Sequence, residues 1–205
     1  MKPYVPSCEE EARYLAAYDA SKYQNPAVTA DVALFGCEGN ALFLLLIRRG
    51  GYPYKGYYAL PGGFIDIAES VPVGAARELL EETGVAGLRL HECGVLSEPE
   101  RDPRQRVISV VYWAAAEKSA VAPAAGDDAA AAEWFAFSDY SCQEQPDGRL
   151  HRYTLSGSQV FHIVLREYWE NGVLQYESLG DDLANDHAQA CLWAYLGYSR
   201  ENNRS

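Results

Sequence analysis

The sequence predicts an α/β fold in which strands and helices share one core. Three observations predict it. Val28, Ala30, Val32 and Leu34 alternate with their neighbours as a strand's inner face does. Ala41 to Ile47 is a continuous apolar run of strand length, suited to burial on both faces. Pro72 to Thr83 reads as a helix, with Gly84 as its C-terminal stop. At 205 residues the chain has room for one generous domain. We expect a single domain with its core at about 25–140, an N-terminal helix at 8–19 and a C-terminal extension at 141–205 packed on that core.

The other elements follow in order. Cys8 to Asp19 reads as a helix, with Ser7 as its N-cap and Glu9, Glu10 and Glu11 in the first turn, where the helix dipole favours acid. Arg48 to Gly56, with its glycines and proline, is a loop. Tyr57 to Leu60 is a short strand stopped by Pro61-Gly62-Gly63. Strands are expected around Leu88–Val95, Val107–Ala115 and Glu133–Phe137, with the alanine-rich stretch Ala120–Ala132 as a loop. Leu150–Leu155 and Gln159–Trp169 are strands, and Glu170-Asn171-Gly172 is a hairpin turn into Val173–Leu179. Asp181 or Asp182 then caps a last helix carrying Leu183, His187, Cys191 and Tyr195 at four-residue spacing.

Composition narrows the function. Nearly half the residues are hydrophobic (48%) and the net charge is -12. That balance argues against stable nucleic-acid binding, which draws most of its affinity from basic groups on phosphates. It leaves room for a phosphorylated small molecule held through a metal. The five cysteines lie far apart and suggest neither a disulfide framework nor a metal knuckle; free thiols in a reducing cytoplasm are the expectation. The N-terminus has no apolar signal segment, and no run is long enough to span a membrane.

The chemistry concentrates in one stretch. Gly63 is followed after five residues by Glu69, and after seven more by Arg77-Glu78-Leu79-Leu80-Glu81-Glu82-Thr83-Gly84-Val85. On an ideal helix at about 100° per residue, Glu78, Glu81 and Glu82 fall within roughly 100° of arc. Val73, Ala76 and Leu80 lie opposite and are the expected packing face. Like charges at this spacing cost about 0.2–0.5 kcal/mol per pair, and Arg77 relieves only part of that. A divalent cation would turn the repulsion into coordination, and hard oxygen ligands favour Mg²⁺, with Mn²⁺ as the alternative.

Residues Gly63 to Val85 resemble a complete Nudix box, with every fixed position of the pattern filled. The resemblance implies an α/β/α sandwich with a mixed sheet, here with a C-terminal β-hairpin and helix added, and hydrolysis of a nucleoside diphosphate linked to another moiety. It implies Glu78, Glu81 and Glu82 as metal ligands, one of them a candidate general base, and the Gly63 carbonyl as a further ligand. Glu69 would pair with Arg77 and hold the helix. Outside the box, Glu133, Glu98, Glu100 and Asp102 are candidates for a second catalytic carboxylate.

Looser likenesses extend over about 18–115. Tyr18-Asp-Ala-Ser-Lys-Tyr23 followed by Pro26-Ala-Val-Thr-Ala-Asp31, Pro53 to Gly63 and Arg101 to Ser109 look like segments of the ADP-ribose pyrophosphatase branch, which also holds NAD-metabolism regulators with a winged helix. The C-terminal segment here lacks the basic helices a winged helix needs, and Leu183-Ala-Asn-Asp-His187 resembles the start of a helix that closes the Nudix core. Arg48, Arg49 and Arg104, with Lys55, Arg101 and Arg106, are the cations that could meet phosphate or ribose. Tyr52, Tyr54, Tyr57 and Tyr58 flank the expected cleft. His187 lies on the apolar stripe of the last helix, where a hydrogen-bonded packing histidine is expected. Three readings stay open: hydrolysis of ADP-ribose to AMP and ribose 5-phosphate, hydrolysis of another nucleotide, and a catalytically weak sensor of an ADP-ribose-type ligand acting through a protein partner. A homodimer through Tyr168, Trp169, Val173, Leu174 and Tyr176 is a further expectation.

Overall fold

The computed structural model describes residues 4–123 and 129–202. Among them, ten strands form one mixed sheet in the order β10-β9-β8-β7-β2-β1-β6-β5. Its strands are β1 (Ala27–Glu38), β2 (Ala41–Arg49), β3 (Tyr58–Ala59), β4 (Gly62–Phe64), β5 (His91–Leu96), β6 (Val107–Glu117), β7 (Ala129–Gln145), β8 (Gly148–Ser156), β9 (Val160–Glu170) and β10 (Val173–Ser178). The short β3 and β4 pair with β2 and β1 off the main path. β1 runs parallel to β6, and every other pairing is antiparallel.

Alternation in β1 builds two cores. Ala30, Val32 and Leu34 face the helix α2 (Val71–Thr83) with Leu45, Ala75 and Leu79. Ala33 and Phe35 face the helix α3 (His187–Asn202) with Leu44, Leu46 and Leu192. The result is the expected α/β/α sandwich. Phe35 is fully buried and touches Phe137 and Tyr198, so its loss to alanine would cost on the order of 3–5 kcal/mol.

Several elements differ from the sequence reading. Pro61-Gly62-Gly63 does not end the strand region. It leads into β4, whose Gly62 and Gly63 lie against Asp31 and Ala30 of β1. Ala120–Ala132 is not wholly loop: Ala129 opens β7, and Ala131 and Ala132 pair with Arg48 and Ile47. Residues 124–128 of that stretch lie outside the described residues. The first helix, α1 (Glu9–Ala17), takes Cys8 as N-cap; Ser7 instead gives both its N–H and its hydroxyl to Glu11. α1 has no buried residue. The last helix starts at His187 and not at Asp181 or Asp182, because those carboxylates are engaged by the His162 N–H and the Ser178 hydroxyl.

The added strands widen the sheet, and the sheet curls. β5 and β10 are its two edges, yet Gly94 and Tyr176, one from each, both meet Trp193 of α3. α3 thus lies in the hollow of the curved sheet, which explains its buried small residues Ala188, Ala190 and Ala194. The hairpin turn forms as read, with Asn171 and Gly172 at positive φ. Of the residues read as an interface, Trp169 and Val173 are exposed, whereas Tyr176 turns inward to Trp193 and Glu167. All five cysteines are free. Among the described residues no helix is long and apolar enough to cross a membrane.

Candidate active site

The site forms where β4 meets α2. Ser70 caps α2, Pro72 sits in its first turn, and Gly84 ends it at φ 73° with its N–H on the Leu80 carbonyl. The helix does not pack through Val73, Ala76 and Leu80 as the sequence suggested. Val73 and Leu80 are 57% and 47% exposed, and the buried face is Gly74, Ala75, Leu79 and Thr83. Small residues let the helix approach the sheet closely, and the contact face is rotated toward the glutamates. Glu78 and Glu82 are therefore partly buried, while Glu81 stays open to solvent.

Arg77 organises the acids. It donates to both carboxylate oxygens of Glu69, at 2.7 and 3.3 Å. The same side chain reaches Glu78 and Glu81 at 2.8 Å each and the Phe64 carbonyl at 2.9 Å. Glu69 also accepts the Asp66 N–H, and Arg77 holds its carboxyl below the usual range. Two glycines make these approaches sterically allowed. A Cβ on Gly63 would stand 2.5 Å from the Glu78 carboxyl, and one on Gly74 would stand 2.7 Å from Glu69 Oε1. Gly62 gives its N–H to Glu82 Oε2 at 2.8 Å.

Burial pushes the Glu82 carboxyl up to about 7; the Gly62 N–H opposes this, and the charges of Glu78 and Asp31 add to it. Burial raises Glu78 as well, against the pull of Arg77. Carboxyls gathered out of water beside a backbone they closely approach are an oxygen-only donor set, which suits a hard divalent cation. Among the described residues no three such groups converge on one point. The reason is visible: the Arg77 guanidinium holds Glu78 and Glu81, and Glu82 is turned to Gly62.

The cleft beside the box is lined by Asp31, Arg49, Tyr54, Gly62, Arg101 and Arg104, among others. Of the predicted cations, Arg49, Arg101 and Arg104 belong to it. Arg49 gives its Nε to the Pro53 carbonyl, and Arg104 binds Asp102 and stacks over Phe64. Arg48 does not line it and binds the Gly56 carbonyl instead. Glu133 is also elsewhere, accepting the Ser158 hydroxyl that in turn bonds Tyr58. Asp31 was not among the candidate site residues. It is buried on β1, accepts the Ser109 hydroxyl and faces His187 Nε2 at 3.9 Å. An acid on the inner face of an otherwise apolar strand was the available signal. His187 is a packing histidine, as expected, with Nδ1 accepting the Leu60 N–H at 2.9 Å. Arg101 and Asp186 form a two-nitrogen pair at 2.7 Å that ties the Arg101 loop to the start of α3.

Residues 25–156 match the model of the NUDIX domain, and the chain belongs to that family. It is 40% identical over 106 residues to the ADPR responsive transcriptional repressor NtrR of Acinetobacter baylyi, covering 51% of this chain and 42% of that protein. It is 42% identical over 113 residues to an ADP-ribose pyrophosphatase of Methanocaldococcus jannaschii, covering 55% of this chain and 63% of that protein. The chain thus spans less than two thirds of either curated relative. Among solved structures, a MutT/nudix family protein from Enterococcus faecalis superposes with a TM-score of 0.70 at 29% identity. That likeness covers 97% of this chain and 76% of the other, so the added strands and α3 are part of it.

Proposed function

We propose that the protein is a metal-dependent pyrophosphohydrolase of nucleoside diphosphates linked to a second group, with ADP-ribose as its substrate and AMP and ribose 5-phosphate as products. The observation that carries this reading is the set Glu69, Arg77, Glu78, Glu81 and Glu82, gathered against Gly62 and Gly63 beside a cleft that Gly62 shares with Arg49 and Arg104. The curated ADP-ribose pyrophosphatase relative supports the choice of substrate.

Glu78, Glu81 and Glu82, with the Gly63 carbonyl, would hold Mg²⁺, and Mn²⁺ suits the same donors. Bound there, such an ion would screen the diphosphate charge and make a water easier to deprotonate. The chain's own residues do the rest. Arg49 and Arg104 line the cleft and would receive phosphate oxygens there. Arg77, locked on Glu69, fixes the direction of Glu78 and Glu81. A carboxylate oxygen of the glutamate set takes the proton of the water that attacks phosphorus, and the P–O–P bond breaks.

A second reading, a weakly catalytic ADP-ribose sensor, is favoured by the likeness to the A. baylyi repressor. The two separate in one comparison. ADP-ribose incubated with protein and Mg²⁺ is expected to yield AMP and ribose 5-phosphate, and EDTA to stop it. Tight calorimetric binding of ADP-ribose without product would replace the hydrolase with the sensor.

A further inference from the structure

Beside the cleft lies a second hollow of about 720 Å³, between the β5 edge, the β10 edge and α3. Arg101 and Asn185 line both spaces, so the two adjoin at the Arg101–Asp186 pair. One side of it is aromatic and apolar: Trp193 and Tyr176 stand edge to face at 5.7 Å, and Leu96 and Leu174 also line it. The wall depends on Gly94, where a Cβ would run into the Trp193 ring. The β5 register shifts between Glu92 and Gly94, which is where the strand gives way to the indole.

Charge assigns the two spaces different roles. The cleft sets Arg49, Arg101 and Arg104 against Asp31 and Asp102 and is net positive, whereas the hollow sets Glu98, Glu100 and Asp186 against Arg101 alone and is net negative. A diphosphate is favoured in the first and repelled from the second. A flat uncharged ring with N–H donors suits the second, because it stacks on an indole and finds carboxylate acceptors. We infer that this hollow is the nucleobase subsite, taking the adenine of the substrate on Trp193 while the diphosphate lies over the box. The inference rests on the nucleotide-hydrolase reading above and adds to it which half of the molecule goes where.

Tryptophan emission tests it. AMP titrated into the native protein is expected to quench fluorescence, and ribose 5-phosphate is not. Trp193→Phe keeps a ring and should bind AMP by calorimetry while losing that quench. Val173→Phe adds bulk from an exposed wall of the hollow and should weaken AMP binding about tenfold or more, the scale of one stacked base. AMP binding without quenching, a quench that survives in Trp193→Phe, or native-like affinity in Val173→Phe would each overturn the subsite even in a protein that hydrolyses ADP-ribose. A protein that neither binds nor cleaves any nucleotide would remove the hydrolase reading and the subsite with it.

Discussion

The imidazole of His187 accepts the backbone N–H of Leu60 through Nδ1 at 2.9 Å, joining the first residue of α3 to the strand end that leads into Pro61-Gly62-Gly63. Both residues are buried, so without the imidazole the Leu60 N–H would have no water to turn to. An unsatisfied buried donor costs about 1–3 kcal/mol. His187→Leu should therefore lower the melting temperature by several degrees, at about 2–4 °C per kcal/mol for a chain of this size. His187→Asn keeps an acceptor near the Nδ1 position and should lose less than His187→Gln, whose amide reaches toward the Nε2 position. Equal losses in Asn and Gln would show that this bond does not matter.

Arg77 holds Glu69, Glu78 and Glu81 together and reaches the Phe64 carbonyl. Lysine cannot supply five donors in a plane. Arg77→Lys should cut kcat/KM for ADP-ribose on the order of 10–100-fold, the usual cost of losing a residue that orients ligands. The fold should remain, as circular dichroism would report.

Gly63 has no room for a side chain. A Cβ there stands 2.5 Å from the Glu78 carboxyl, so Gly63→Ala must displace that glutamate. Mn²⁺ affinity, measured by calorimetry, should fall on the order of 10–100-fold, the usual cost of disturbing the groups that position metal ligands. Unchanged affinity would mean that Glu78 is free to move and that its present position is not needed.

The raised Glu82 carboxyl links stability to pH. Its ordinary value is 4.5 and burial lifts it to about 7, so between these values the folded protein binds more protons than the unfolded chain. Stability from this group is thus fully present below about pH 4.5 and is lost as pH rises through about 7. In EDTA, Glu82→Gln should flatten that decline in melting temperature and be the more stable form at pH 8. Parallel curves for the two proteins would contradict the assignment.

How much of this was legible in the sequence depends on how local each feature is. The box could be read because Gly63, Glu69 and Arg77 to Val85 are nearly contiguous, and helical spacing alone groups the glutamates. The packing face of α2 could not. Val73 and Leu80 look like core, but close approach to the sheet selects Gly74 and Ala75, and only the sheet's position reveals that. Likewise the start of α3 was misplaced because Asp181 and Asp182 resemble caps until His162 and Ser178 are seen to claim them. Asp31, His187 and the Arg101–Asp186 pair meet only through the fold, across separations of 78 residues or more to their partners. Glu133 and Arg48 were named for their charge, which carries no information about the direction a strand gives a side chain.

The most direct measurement is product analysis of ADP-ribose incubated with Mg²⁺ and either the native protein or Glu82→Gln. AMP and ribose 5-phosphate in equal amounts from the native protein, falling to a trace in the variant, is the result expected here. No product from the native protein, or equal turnover by the variant, would contradict a hydrolase built on these glutamates.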